Sequence, residues 1–181
     1  MLTSPPLALY IHLPWCERKC PYCDFNSYQR TAQPPFAAYA ARLLDDLEQD
    51  LGFVAGRAVG SVFIGGGTPS LFMPEAIGAI LDACSARLRF APSAEITMEC
   101  NPGTVEHDNF ENYLRAGVNR LSFGVQSFDD GCLERLGRIH DAERARTAVS
   151  AAQAAGFSNI NLDLMYALPG QTLDMALYDV K

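Results

Sequence analysis

The sequence predicts an α/β fold, a parallel sheet with helices outside that curls into part of a barrel. Three observations carry this. Short apolar, strand-like runs alternate with stretches of helical periodicity along the chain. The runs read as hydrophobic throughout, the pattern of strands covered by crossover helices. Glycines fall just after helical stretches and just before strand-like ones, where an αβ turn needs them. Right-handed crossovers then curl successive units the same way.

The first strand is expected over Leu9 to Leu13, and a helix over Phe36 to Leu51, where Phe36, Tyr39, Leu43, Leu44 and Leu47 make one apolar face. Ser61 to Gly65 reads as the second strand. The helix that follows, Pro74 to Leu88, opens on a proline suited to a first turn. A third strand, Glu95 to Cys100, leads to a helix over Asp108 to Ala116 that Gly117 stops. A fourth, Arg120 to Val125, leads to a helix over Ala142 to Ala155 that Gly156 stops. The fifth is Ile160 to Tyr166, and the stretch ending at Lys181 is again helix-like. An eight-unit barrel typically takes about 250 residues, more than the 181 here. The expectation is one domain over 1–181, the amino-terminal fragment of a longer protein, with the last strand an unpaired edge.

A hydrophobic content of 49% can supply the core of such a domain. The net charge of -7 offers no basic patch to a nucleic acid, and no run approaches the roughly 20 apolar residues of a membrane span. The amino terminus lacks the basic region and long apolar run of a secretory signal. The six cysteines are therefore expected in a reducing cytoplasm, as thiols or metal ligands.

Cys16, Cys20 and Cys23 follow the first strand directly, at a three-then-two spacing. Three thiolates this close can hold three irons of a cubane and leave the fourth without a protein ligand. An open iron can take a substrate, as an open zinc position does in catalytic zinc sites. Two rivals fit part of the pattern. A thioredoxin- or glutaredoxin-like dithiol at Cys20-Pro21-Tyr22-Cys23 leaves Cys16 unexplained and suits a shorter fold. A zinc site lacks a fourth ligand at close spacing. Cys84, Cys100 and Cys132 stand singly and read as buried thiols. Cys100, beside Glu99 at a strand end, is placed to line a site without touching iron.

Cys-x3-Cys-x2-Cys with an aromatic before the last cysteine resembles the signature of the radical S-adenosylmethionine superfamily. Further runs occur in order: Tyr10 to Cys16, Gly65 to Ser70, Glu99 to Pro102, Arg120 to Phe128 and Asp163 to Thr172. Together they resemble the branch that holds the oxygen-independent coproporphyrinogen III oxidases and their heme-chaperone relatives, from about Leu9 to the last residue. The resemblance implies a (β/α)6 barrel of the radical S-adenosylmethionine type, truncated after about five units. The oxidases carry a further cysteine where this chain has Phe25, and a longer amino-terminal arm; both differences favour the heme-chaperone branch. That branch's His-Asn-x-x-Tyr-Trp motif is not found in this chain, so no residue of it is assigned to heme.

The resemblance implies a [4Fe-4S] cluster on Cys16, Cys20 and Cys23, and S-adenosylmethionine on its open iron. Reduction would cleave the sulfonium to methionine and a 5′-deoxyadenosyl radical, chemistry that belongs to the cofactors. It also implies heme, held outside this chain, with an electron donor and a heme-acceptor protein as partners. Oxidative decarboxylation of coproporphyrinogen is the alternative activity. Gly66, Gly67 and Thr68 align with the segment that meets the methionyl ammonium group, a place where absent side chains permit close approach. Glu99 and Asp163 lie on strands with short acidic side chains suited to ribose hydroxyls, against helix capping as the rival. Gln126 follows the fourth strand, and Arg138 aligns with the arginine that meets the methionine carboxylate, a task suited to a guanidinium fork. Tyr10 and Tyr22 resemble residues that contact cofactor and adenine, with aromatic packing of an ordinary core as the rival, and Trp15 is expected to shield the cluster. Arg18 and Lys19, inside the cluster loop, are expected to raise its potential. His12 reads as a hydrogen-bonded core histidine; His107 and His140 receive no role.

Overall fold

The computed structural model describes residues 4–104 and 109–181. Five parallel strands form one sheet: β1 (Leu7–Leu13), β4 (Val59–Gly66), β5 (Phe90–Cys100), β6 (Arg120–Gln126) and β7 (Ile160–Leu164), in that spatial order. Each neighbour in space is the next long strand in the chain, the arrangement that successive right-handed crossovers produce. Two short segments, β2 (Trp15–Cys16) and β3 (Tyr28–Gln29), pair in parallel at the carboxyl end of β1. The crossovers carry α1 (Phe36–Val54), α2 (Pro74–Ser85), α3 (Phe110–Arg115), α4 (Asp130–Leu136) and α5 (Ala142–Ala154), and α6 (Leu173–Asp179) follows β7.

The expected elements are all present, with displaced ends. The fifth strand stops at Leu164, so Tyr166 lies beyond it and is exposed. The predicted start of the third helix, Asp108, lies outside the described residues, as does His107. Gly117 and Gly156 do end helices at positive φ. Among the described residues no helix is long and apolar enough to cross a membrane.

One expectation is corrected: the strands are not hydrophobic throughout. Ile11 and Leu13, Val62 and Ile64, Met98, and Leu121, Phe123 and Val125 are buried in one core with Ile77, Ile80, Phe110, Tyr113 and Ala148 of the helices. Their alternating neighbours, Tyr10, His12, Phe63, Thr97, Glu99, Arg120, Ser122 and Asp163, face the other way. The apolar residues are frequent enough to read as continuous runs, yet the period of two is present. α1 contributes no fully buried residue; Phe36, Tyr39, Leu43, Leu44 and Leu47 lean on the core as half-buried side chains.

Candidate cofactor site at the carboxyl ends of the strands

At the carboxyl end of the sheet the inner face opens into a cavity of about 400 Å³. Its wall includes Cys16, Cys20 and Cys23 on one side and Glu99, Gln126, Arg138 and Asp163 on the others. The cysteine loop owes its shape to backbone bonds at both ends. Tyr28 N–H donates to the Pro14 carbonyl and Arg30 N–H to that of Cys16, each at 2.8 Å. Cys23 N–H donates to the Cys20 carbonyl at 3.0 Å, closing a turn that sets these two thiols on one loop. Lys19 points back into the loop, donating to the Phe25 and Ser27 carbonyls at 3.1 and 3.0 Å.

The glycine run serves packing first. A side chain on Gly67 would meet the Trp15 carbonyl oxygen at 2.6 Å, and Gly66 has φ +114 with the His12 ring where a Cβ would stand. The backbone can therefore dock: Gly67 N–H donates to Leu13 O and Thr68 N–H to Trp15 O, both at 2.8 Å. The same absence of side chains leaves Gly66, Gly67 and Thr68 lining the cavity beside the cysteine loop.

Neither acidic residue caps a helix. Glu99 Oε2 accepts Gly66 N–H at 3.0 Å. Burial lifts the Glu99 pKa and the Asp163 charge adds to the lift, while the Gly66 bond and His12 oppose it. Asp163 accepts Ser122 Oγ–H at 3.1 Å and Asn161 Nδ2–H at 2.8 Å, which orients its carboxylate. Gln126 ends β6 in the left-handed region, φ 72, beside an irregularity in the pairing of β6 with β7.

Arg138 lies in the linker between α4 and α5. Nη2 donates to the Gly124 carbonyl at 2.6 Å, and Nη1 approaches Cys20 Sγ at 3.5 Å and Tyr22 Oη at 3.4 Å. Its Nε is buried without a partner. An unpartnered buried N–H in a cavity wall is costly and fits an anionic ligand. Burial raises the Tyr22 pKa, with Arg138 pulling it down and Cys20 and Cys23 adding to the rise.

Two of the expected contacts, Tyr10 and Trp15, stand apart from the cavity wall. Tyr10 is 56% exposed, hydrogen-bonds His12 Nδ1 at 2.9 Å and stacks on Phe63. Trp15 turns to α1, edge-on to Phe36 and Tyr39. His12 is no core residue: its Nε2 reaches the Asn26 carbonyl at 2.8 Å and ties β1 to the cysteine loop. Cys100 lines the cavity, as its place beside Glu99 predicts, and the wall adds Arg18, Phe25, Asn101, Ser122, Gly124 and Met165. The period of two would have singled out Ser122 and Gly124, which share a face with Arg120; Met165 lies in the run Asp163 to Thr172, but nothing within that run marks it out.

All six cysteines are free thiols. Among the described residues no three His, Cys, Asp or Glu side chains gather tightly enough for one metal ion. A cubane asks for a wider spread, since each thiolate takes a different iron. Free thiols on one side of a roomy cavity and an unpaired guanidinium N–H in its wall fit a cluster with an anionic ligand.

An open parallel half-barrel with its site at the strands' carboxyl ends belongs to a known class. The Radical SAM superfamily model matches residues 10–180, and the chain belongs to that superfamily, membership that implies a [4Fe-4S] cluster and S-adenosylmethionine. The chain is similar to the heme chaperone HemW of Escherichia coli (strain K12), 53% identical over all of this chain and 48% of that protein. HemW of Bacillus subtilis (strain 168) is 40% identical over 92% of this chain and 44% of its own length. Coproporphyrinogen III oxidase (HemN) from Escherichia coli superposes with a TM-score of 0.86 at 31% identity, covering 97% of this chain and 40% of that one. The chain thus spans about half the length of the relatives it matches.

Proposed function

We propose that residues 1–181 are the cluster- and S-adenosylmethionine-binding core of a cytoplasmic heme chaperone that hands heme to an acceptor protein. The observation that carries this reading is the cavity in which three free thiols share a wall with Arg138, Glu99 and Asp163, together with the likeness to HemW. Cys16, Cys20 and Cys23 would hold the cluster. Gly66, Gly67 and Thr68 would meet the ammonium group of S-adenosylmethionine, Arg138 its carboxylate, and Glu99 and Asp163 its ribose, with Gln126 and Tyr22 closing the adenine side. Tyr10 would act from the rim.

When bound, the pair of cofactors supplies one-electron cleavage of a sulfonium, with an electron-donor protein as partner. The chain's own part is orientation. The Gly124 carbonyl fixes one end of the Arg138 fork and leaves Nε for a ligand. Ser122 and Asn161 keep the Asp163 carboxylate turned for hydroxyl donors. Phe25, exposed on the cysteine loop where the oxidases have a further cysteine, favours the chaperone over oxidative decarboxylation.

Anaerobic reconstitution followed by iron and sulfide analysis tests the core of the reading. Cys16→Ala, Cys20→Ala and Cys23→Ala are each expected to abolish the cluster absorbance, and Cys84→Ala to leave it. Equal loss from all four would overturn the assignment. Heme titration of the full-length protein against this chain separates a heme site beyond residue 181 from one within it. Porphyrin product in an anaerobic decarboxylation assay would replace the chaperone with an oxidase.

A further inference from the structure

His140 is buried and lies two residues from Arg138, in the short linker that joins α4 to α5. This linker belongs to no sheet. Arg138 N–H reaches back to Leu133 O at 3.0 Å, and the Ile139 and His140 side chains crowd against Gly103. Two side chains then fasten it to adjacent carbonyls of β6: Arg138 to Gly124 O at 2.6 Å, and His140 Nε2 to Val125 O at 3.1 Å. Pairing of β5 with β6 ends at Phe123, and pairing with β7 is irregular between Gly124 and Gln126. The linker side chains serve carbonyls there in place of a regular ladder.

A carbonyl only accepts, so Nε2 carries the proton. The other ring nitrogen, Nδ1, is buried without a partner. A second proton would place an unpaired N–H near the Arg138 charge. The ring is neutral at pH 7 accordingly: burial first, then Arg138, push its pKa down to about 4, against the pull of the Val125 carbonyl.

We propose that His140 is a positioning residue: by riveting the linker to Val125 it fixes the Arg138 fork between Cys20 Sγ and the ligand cavity. The inference rests on the reading of Arg138 as the carboxylate-binding group and of Cys20 as a cluster ligand. It gives the otherwise unassigned histidine a function through another residue. Hydrogen bonds to cluster sulfurs help set a cluster's potential, so losing the Arg138 approach to Cys20 should shift the potential negative as well as weaken ligand binding.

The test uses the full-length protein, reconstituted anaerobically, with S-adenosylmethionine affinity by calorimetry and the cluster midpoint potential as readouts. His140→Leu is expected to weaken S-adenosylmethionine binding by about tenfold or more, the scale of a lost charged hydrogen bond, and to move the potential in the same direction as Arg138→Gln. His140→Gln, whose amide N–H can reach the same carbonyl, should restore both. His140→Asn is too short to reach and serves in place of His140→Leu should that variant fail to accumulate. Normal affinity and potential in His140→Leu or His140→Asn, with only a lower Tm and with Arg138→Gln defective, would overturn the role of His140 alone. A normal Arg138→Gln would overturn the reading of Arg138, and this inference with it.

Discussion

Along β6, Leu121, Phe123 and Val125 are fully buried in the helix-covered core, while Arg120, Ser122 and Gly124 turn to the opposite face. The two faces of this sheet solve different problems. On the outer face apolar side chains lose water and interdigitate with the helices, the dominant favourable term in folding. On the inner face polar groups pair with one another: Tyr10 with His12, Arg120 with Thr97, Ser122 with Asp163, and Glu99 with the Gly66 backbone. Partnered polar groups can line a cavity at little cost, and paired side chains hold their directions before a ligand arrives. Changes on the outer face should therefore be read in stability, and changes on the inner face in binding.

The largest effect should come from Phe123→Ala. Its ring is fully buried edge-on to Phe110, and truncating such a side chain costs about 3–5 kcal/mol. At roughly 2–4 °C per kcal/mol for a domain of this size, calorimetry should show a fall in Tm of about 6–20 °C. A Tm within a degree of wild type would break the division between faces, because the outer face would then not be the one that carries stability.

Asp163→Asn sharpens the comparison from the other side. The side chain is exposed and keeps an oxygen for Ser122, so Tm should hardly move. Binding of S-adenosylmethionine to the reconstituted protein should weaken about 10- to 100-fold, since a charge-assisted bond contributes about 1.5–3 kcal/mol. Unchanged affinity in a titration would remove Asp163 from the ligand's contacts.

The order and direction of the five strands were legible because helix-period and strand-period residues alternate with glycine stops, signals local to each segment. The division of each strand into two faces was harder to read, because Phe63 puts an apolar side chain on the inner face as well. The cysteines announced themselves by spacing. Arg138 and Gln126 were found through the family's motif order, whereas His140 and Asp179 were not, since each acts through tertiary contacts that sequence spacing does not encode. Asp179 is a buried carboxylate that accepts from Ser127 Oγ at 2.8 Å and Phe128 N–H at 2.6 Å, fastening α6 to the loop after β6. A single aspartate in a polar-looking helix end gives no hint of partners 52 positions away. Tyr10 illustrates the converse, a motif residue whose side chain bonds a histidine neighbour two positions on.

The smallest effect is the finest test, because Glu99 sits where the two faces' rules meet: an inner-face carboxylate that is nonetheless largely buried. Its pKa in the folded chain is raised above the ordinary value of 4.5, by burial first. The ionised form is thus disfavoured by folding, so the penalty is absent below that ordinary value and fully present once pH exceeds the raised one. Glu99→Gln keeps an acceptor for Gly66 N–H and never ionises. In the cofactor-free protein the variant should match wild type in acid and exceed it by a few degrees in Tm at neutral pH, the gap opening as pH rises through the carboxylate's titration. A variant less stable than wild type at neutral pH would mean that the charged bond to Gly66 outweighs burial. Glu99 would then belong with the groups that stabilise the fold, and the inner face would carry stability as well as binding.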